Sequence, residues 1–439
     1  MLDKLKAVQN LLRFKPVDSK VLEHSIERRG FISVPFDYAK PKADRIVVFY
    51  RLIPAYGSTH GYRSKLIVVV RNGGPGISSS IYRSLNFDYT NPESPANGSL
   101  DRFKYSLKTH RILLVDQRGT DGQSAPLDFG FPGGQDSDWV ATYFSSDSQA
   151  CDYAAVIEEV VPEGYPFFLI GQSYGGMPAM QYISLEDARR PNGIVFSSSG
   201  LPHEDSQDQL LSRRREQLQL NLKLREMVPD ITLRLENVKA HLGHIGADPM
   251  RIHGLYTFLG KDVAGKWEKD FVHRLEKIKQ YTFEEFESDL ATQLGGVMLL
   301  NYILSSANFT PGYADRSFAQ LSSDKIPFEP WMIDENQLYI SAGQDATQRA
   351  SYIDAIDRKP PPATPFASLK ELRASIGCNQ LLFTAADNDA YVPADSYLRS
   401  IDKFQVPGHT EVKKLPGGHH AIFFEKGHNV FLEWSRERM

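Results

Sequence analysis

The sequence predicts an α/β fold, in which a mostly parallel central sheet is covered by helices on both faces. Short apolar segments of strand length alternate with segments of helical periodicity in the first half of the chain and again near its end. Uninterrupted apolar runs such as residues 66–70 are typical of strands that are buried on both sides. Strands that alternate with helices favour parallel pairing through crossover helices. The predicted strands are residues 31–35, 45–51, 66–70, 111–115, 167–170, 194–196, 380–384 and 411–415.

Helical segments flank these strands. Residues 1–29 are expected to form an N-terminal helical extension, residues 148–160 a helix within the core, and the chain from about Asn429 onward a closing helix. The predicted core therefore comprises residues 30–202 and 366–439.

A helical cap insertion is predicted between the two parts of the core, from residue 203 to residue 365. Leu, Arg, Glu, Gln and Lys recur there at helical spacing, and strand signals are scarce. The proline cluster at residues 360–362 indicates a stiff return linker. One apolar stripe is expected to contain four leucines, Leu210, Leu211, Leu218 and Leu222.

Composition and charge argue against several classes of function. The 439 residues are 41% hydrophobic and 24% charged, as in ordinary globular proteins. The 50 basic and 54 acidic residues give a formal net charge of −4, so no basic excess is present to bind nucleic acid. Apolar runs have strand length, and the amphipathic start lacks a secretory signal, so a cytoplasmic protein without a membrane partner is expected. Cys151 and Cys378 lack metal-ligand spacing and are expected to be buried thiols.

The strongest functional signal is the pentapeptide Gly171-Gln172-Ser173-Tyr174-Gly175, which directly follows an apolar strand. Gly-x-Ser-x-Gly in a strand-to-helix turn forms a nucleophile elbow, which exposes the serine hydroxyl at the edge of a sheet. The flanking glycines are expected because a side chain at either place would collide with neighbouring backbone. Ser173 is therefore the predicted nucleophile.

A serine nucleophile needs an imidazole base and an orienting carboxylate, which follow it in that fold in the order acid, then histidine. The acid is expected in the loop after the strand at 380–384. Asp389 and Asp387 both lie there, and we favour Asp389 because it precedes Pro393 by four residues. Asp387 remains the alternative.

The base is expected after the last strand, where two histidines are adjacent. His419 directly follows a glycine, whereas His420 has the better downstream spacing, with Glu425 five residues on, and stands four residues after Pro416. We favour His420 as the catalytic base and keep His419 as the alternative.

Two backbone N–H groups are required to stabilise the oxyanion. One is expected from Tyr174, next to the nucleophile. The other is expected from Gly74, or from Gly73 beside it, in the glycine-rich loop at residues 72–76. A further loop after a strand contains Asp116 to Gly119, and its Arg118 is predicted to brace neighbouring loops rather than to act in chemistry.

Taken together, these segments resemble the proline iminopeptidase (prolyl aminopeptidase) family of α/β-hydrolase serine peptidases. Asn72 stands where that family usually has histidine, a departure that leaves the backbone donors in place. The resemblance rests on four stretches in order: Val34-Pro35-Phe36-Asp37-Tyr38 through Pro41, Asn72-Gly73-Gly74-Pro75-Gly76, Asp116-Gln117-Arg118-Gly119, and Gly171-Gln172-Ser173-Tyr174-Gly175-Gly176.

The resemblance implies an α/β-hydrolase fold with a helical cap, and an enzyme that removes an N-terminal residue, usually proline, without a metal or cofactor. It also implies that cap carboxylates bind the free amino group of the substrate. Family members often have a Trp-Glu pair in the cap, so Glu268 of Trp267-Glu268 is a candidate substrate-binding residue.

The favoured function is thus a serine aminopeptidase that releases an N-terminal residue, with proline preferred, from a small peptide or aminoacyl substrate through an acyl-enzyme. The alternative is a carboxylesterase or amidase that acts on a non-peptide substrate, because a fold does not fix its substrate. A non-catalytic binding protein is disfavoured because candidates exist for all three triad members. The pattern does not specify an oligomeric state.

Overall fold

The computed structural model describes residues 27–42, 44–55, 66–71, 103, 105–118, 145–199, 207–247, 249, 252, 267–286, 380–389, 392–402, 405 and 407–439. Eight strands in these ranges form one sheet with the order β1-β2-β4-β3-β5-β6-β7-β8. The pairs β1–β2 and β2–β4 are antiparallel, and the other five pairs are parallel. The strands are β1 (Arg28–Pro35), β2 (Arg45–Ile53), β3 (Ile67–Arg71), β4 (Arg111–Val115), β5 (Phe167–Gln172), β6 (Gly193–Ser197), β7 (Leu381–Ala386) and β8 (Thr410–Leu415).

All eight predicted strands are confirmed, and so is the mostly parallel pairing. Eight helices accompany them in the described ranges: α1 (Ser146–Val160), α2 (Gly176–Ser184), α3 (Gln207–Met227), α4 (Ile231–His244), α5 (Trp267–Ile278), α6 (Phe283–Phe286), α7 (Ala394–Ile401) and α8 (Glu425–Arg436).

The central strands of the sheet, β3 to β7, are buried on both faces, as their uninterrupted apolar sequences require. Along β3, Ile67 and Val69 belong to one buried cluster, with residues of α1, α2 and α7. Val68 and Val70 belong to a second cluster on the opposite face, with Phe431 and other residues of α8. Side chains of a strand alternate between faces, so a central strand such as β3 contributes to two cores at once.

Element boundaries differ from the sequence expectations at both ends of the chain. Arg28 and Arg29, expected in the helical extension, begin β1 instead, where they pair with Leu52 and Arg51 of β2. Residues 1–26 of the predicted extension lie outside the described residues. The closing helix begins at Glu425, four residues before the expected start.

Within the predicted insertion, the described residues form α3 to α6 and contain no strand. These helices share a buried apolar cluster that includes Leu224, Leu235 and Phe271. The insertion boundaries at residues 203 and 365 lie outside the described residues. In the described part of the chain, no helix is both long enough and apolar enough to cross a membrane.

The predicted leucine stripe on α3 is wrong where it can be examined. Leu222 is 37% exposed and Leu218 is only partly buried, while Leu210 and Leu211 lie in the part of α3 whose side chains are not described. The face that packs inward is displaced by one residue around the helix and includes two polar side chains. Its members are Gln217, Leu220, Asn221 and Leu224.

Candidate active site

Ser173 occupies a strained turn between β5 and α2. A 3₁₀ turn at Ser173–Gly175 joins the strand to the helix, and Ser173 has φ +56°, in the left-handed region. A residue with a β-carbon adopts this conformation at a cost of about 1–2 kcal/mol. The half-buried Ser173 therefore has the backbone geometry of a nucleophile elbow.

Gly171 is required by the tightness of this turn. A β-carbon at Gly171 would lie 2.7 Å from the Gly175 carbonyl oxygen and 2.8 Å from the Gly176 Cα. Both are backbone atoms, which cannot rotate away as a side chain could. The predicted collision at the first glycine of the motif is thus present, and it explains why the elbow needs glycine there.

Asp389 and His419 form a buried acid–imidazole pair. Asp389 follows β7 and His419 follows the adjacent parallel strand β8, so both lie at the same edge of the sheet. The His419 Nδ1 group is 3.0 Å from Asp389 Oδ1 and 2.9 Å from Oδ2. A carboxylate oxygen can only accept, so Nδ1–H donates, and in the neutral ring the Nε2 atom is then an acceptor. Asp389 is 4% exposed and His419 is 6% exposed.

Asp387 lies elsewhere. Its carboxylate, 46% exposed, is 3.5 Å from the Lys414 ammonium group on the surface. Asp389, in contrast, also accepts a hydrogen bond of 2.9 Å from the Val392 backbone N–H, which fixes the carboxylate in its loop. The contacts therefore favour Asp389, as the sequence did.

The preference for His420 over His419 is not supported, because the imidazole that contacts Asp389 is that of His419. Gly417, with φ +115°, turns the chain after β8, and its carbonyl accepts from the Asn388 backbone N–H at 2.9 Å. This turn brings His419 to the acid loop. The rings of His419 and His420 are 5.2 Å apart and tilted by 58°, so neighbouring side chains diverge. Spacing along the sequence could not resolve a difference of one residue.

Gln172 links the nucleophile segment to the histidine segment, a contact that sequence reasoning missed. Its Nε2 group donates a hydrogen bond of 3.0 Å to the His419 backbone carbonyl. The signal for it was its position in the motif beside Ser173, at the end of a buried strand.

The two predicted oxyanion donors differ in what can be described. Tyr174 is the residue after Ser173 in the 3₁₀ turn, and its hydroxyl accepts a hydrogen bond of 3.2 Å from Gln149 Nε2. Gly74, with the whole of residues 72–76, lies outside the described residues. Arg71, the last residue of β3, pairs with Gly171, so the chain enters that loop beside the elbow.

Arg118 braces the scaffold, as predicted. The fully buried guanidinium group donates to both carboxylate oxygens of Asp152 in α1, at 2.7 and 2.6 Å. It also donates to the Phe36 and Pro35 carbonyls, at 3.0 and 3.2 Å. Tyr38 completes the cluster by donating to Asp152 at 2.8 Å, and burial raises the pKa of the Tyr38 hydroxyl. Two of the four sequence stretches that carry the family resemblance thus meet at one ion pair.

The remaining candidate residues are peripheral or not described. Glu268 lies in the first turn of α5, and its side chain is outside the described residues. Cys151 is a partly buried free thiol, and burial raises its pKa to about 11, so it is protonated near neutral pH. Cys378 is not described. In the described ranges, no cluster of three or more His, Cys, Asp or Glu side chains could hold a metal ion.

The helical insertion contacts the core next to the acid loop. In α3, the Glu216 carboxylate accepts hydrogen bonds from the Ser396 backbone N–H and hydroxyl, at 3.1 and 2.8 Å, and from Arg399 at 2.6 Å. Lys223 Nζ donates to the Asn388 side-chain oxygen at 3.0 Å, one residue before Asp389. Nothing in the helical pattern of α3 distinguished Glu216 or Lys223 beforehand.

The sequence pattern of the Alpha/beta hydrolase family matches residues 75–433, most of the chain. The chain belongs to the alpha/beta hydrolase family. Within this family, the strand–turn–helix around Ser173 and the Asp389–His419 pair occupy the regions expected of nucleophile, acid and base.

A proline iminopeptidase of Aeromonas sobria is 29% identical over 164 residues. That alignment covers 35% of this chain and 33% of the relative, so the chain spans about a third of the length of the curated relative that it matches.

Solved structures overlay over most of the chain at low identity. A thermophilic esterase from Thermogutta terrifontis has a TM-score of 0.40 at 13% identity, covering 93% of this chain and 99% of its own. The 2-hydroxy-6-oxo-6-phenylhexa-2,4-dienoate hydrolase of Rhodococcus sp. strain RHA1 has a TM-score of 0.40 at 12% identity, covering 94% and 99%. Overlaps at this level do not bear on the substrate.

Proposed function

We propose that this alpha/beta hydrolase is a serine aminopeptidase that releases an N-terminal residue, with proline preferred, from peptides through an acyl-enzyme. One observation carries the proposal. The buried Asp389–His419 pair lies at the same edge of the sheet as the strained elbow of Ser173, and Gln172 connects the two segments directly. These are the parts that a serine hydrolase needs to activate a hydroxyl group.

The proposed roles follow from this arrangement. His419 Nε2 removes the proton as Ser173 Oγ attacks the carbonyl carbon of the N-terminal residue. Asp389 orients the ring and stabilises the imidazolium that forms. The Tyr174 N–H, and Gly74 N–H as the proposed second donor, stabilise the oxyanion. His419 then protonates the departing amine, and a water molecule, deprotonated by the same imidazole, hydrolyses the acyl-enzyme.

The choice of a peptide substrate has separate support. The partial match to the Aeromonas proline iminopeptidase agrees with the glycine-proline loop and the Asp116–Gly119 turn, which resemble the same family. The Arg118 contacts link that turn to the segment around Tyr38, which also resembles the family. These two stretches therefore form one structural unit.

A substrate panel tests the activity. Prolyl, alanyl and leucyl 4-nitroanilides are compared with N-acetylprolyl 4-nitroanilide and with p-nitrophenyl acetate and butyrate. We expect fastest release from the free prolyl substrate and little from its N-acetylated form. Rapid ester hydrolysis without anilide hydrolysis would instead select the esterase, and hydrolysis of the N-acetylated anilide as fast as the free prolyl one would select the amidase.

Paired variants test the residues. Ser173→Ala and His419→Gln should each lower kcat by about 10⁶-fold and Asp389→Asn by about 10⁴-fold, because triad members act as a unit. His420→Gln and Asp387→Asn are the matched controls, expected to retain kcat within about tenfold of wild type, a small effect on the scale of general acid–base catalysis. A larger loss in His420→Gln than in His419→Gln would reverse the assignment.

A further inference from the structure

We propose that Gln172 is a positioning residue that holds the His419 imidazole at working distance from Ser173. The inference rests on the proposed serine hydrolase chemistry and adds to it a residue that belongs to neither the triad nor the oxyanion hole. Its basis is the hydrogen bond from Gln172 Nε2 to the His419 carbonyl, which joins residues 247 positions apart.

The sheet order explains why such a bond is needed. His419 follows β8, whereas Ser173 follows β5, and β6 and β7 lie between these strands. Adjacent strands are about 4.8 Å apart, so the histidine loop must reach back across roughly 14 Å of sheet. Asp389 follows β7, which is next to β8, so its bond to His419 restrains the ring only at the end of that span farther from Ser173.

The Gln172 bond acts at the other side. Gln172 is the last residue of β5 and the immediate neighbour of Ser173. Its side-chain amide contacts the backbone of His419, while Asp389 contacts the Nδ1 atom of the ring. The backbone bond fixes where the residue lies, and the ring bond fixes how the imidazole is rotated. A displacement of about 1 Å between reacting groups can cost about 10²-fold in rate.

The residue type fits this role. Gln172 is 1% exposed, so its amide donor and the His419 carbonyl are both sheltered from water. A buried carbonyl that loses its donor pays a desolvation penalty, which favours displacement of the loop. Methionine has a similar length but no donor, and asparagine is one methylene shorter. Glutamate would present an acceptor to an acceptor.

The test compares Gln172→Met with Gln181→Met. Gln181 is a second buried glutamine, in α2, eight residues after Ser173. Both variants lose a buried amide, but only Gln172→Met loses the bond to the histidine loop. The measurements are kcat and KM on the best substrate of the panel, the rate of Ser173 labelling by a fluorophosphonate, and the thermal unfolding midpoint.

For Gln172→Met we expect kcat and the labelling rate to fall together by about 10- to 100-fold, with KM within about threefold of wild type. Gln181→Met should change the unfolding midpoint comparably but keep kcat and the labelling rate within about twofold. If Gln172→Met fails to fold, Gln172→Asn provides the same comparison with a milder loss.

Two outcomes would overturn the inference. Equal kcat and labelling rates in the folded Gln172 variants and wild type would show that the bond does not position His419. Parallel losses in the Gln172 and Gln181 variants would show a general effect of packing. Failure of wild type to label at Ser173 would instead refute the proposed function and this inference with it. Labelling with ester turnover alone would refute only the aminopeptidase assignment.

Discussion

Ser173 has a left-handed backbone that favours a residue without a β-carbon, so function rather than stability explains the serine. Removing the hydroxyl can therefore be done in two ways. Ser173→Gly should be more stable to urea unfolding than Ser173→Ala by about 1 kcal/mol, because alanine keeps the strain and glycine relieves it. Both variants should be inactive, which separates the conformational effect from the chemical one.

Ser400 provides the control for this comparison. It lies inside α7, where the backbone is helical. There the order should reverse, with the alanine variant more stable than the glycine variant by about 1 kcal/mol. If glycine were the less stable residue at both positions, the φ of Ser173 would not carry the strain assigned to it.

At the scale of elements, α8 supports the histidine loop, which follows β8 and contains His419. The 3₁₀ turn at Ala421–Phe423, directly after His420, packs against the first turn of that helix. A β-carbon at Gly427 would lie 2.1 Å from the Ala421 carbonyl oxygen and 2.6 Å from the Ile422 Cα. The close approach of these two elements thus depends on a glycine in a helix, where alanine would ordinarily be preferred.

Gly427→Ala tests which effect dominates. Helix propensity alone would stabilise the variant by about 1 kcal/mol, but a backbone clash of this size forces the 3₁₀ turn away from α8. We expect a net loss of stability of about 1–3 kcal/mol, as for overpacked cores, and a lower kcat because His419 moves with the turn. Urea unfolding and kcat are the two measurements.

Gly243→Ala is the matched substitution. Gly243 is also helical, in α4, but its added β-carbon would meet only the Pro249 side chain, at an ordinary 3.7 Å. That variant should be as stable as wild type or more stable, with unchanged kcat. A stabilising effect of Gly427→Ala would mean that α8 can shift without disturbing the histidine loop.

At the scale of the whole molecule, the centre of the sheet could be predicted because strands β3 to β7 are buried on both faces. An apolar run such as residues 167–170 is typical of a strand that is buried on both faces, whichever neighbours it packs against. The face of α3 could not be predicted, because it depends on which neighbours that helix meets, and two polar residues, Gln217 and Asn221, turned out to be buried. Which of the two adjacent histidine rings contacts Asp389 depends on the turn at Gly417, and the sequence does not reveal that turn. Long-range contacts such as Gln172 to His419 leave no periodic pattern in the sequence.

The opposite face of the sheet from α1 and α2 contains a buried polar cluster that links stability to pH. The rings of His110 and His428 are 5.9 Å apart, edge to face, and Ser106 Oγ lies 3.2 Å from His428 Nδ1. Burial lowers the pKa of His110 to about 4. Burial, with the nearby positive charge of His110 and Lys108, lowers the pKa of His428 to about 3.

Both histidines bind protons in the unfolded chain, with a pKa near 6.5, before they do so in the fold. The unfolded state therefore holds up to two more protons between about pH 4 and 6, and the free energy of unfolding must fall as pH falls through that window. His428→Gln should remove one of these protons. The slope of the unfolding free energy against pH should then fall by about 1.4 kcal/mol per pH unit, as measured by urea unfolding at several pH values. His273→Gln, at an exposed histidine of α5, is the control variant for the loss of an imidazole. An unchanged slope in His428→Gln would mean that His428 is protonated in the folded protein, and that a charged imidazole is accommodated between the sheet and α8.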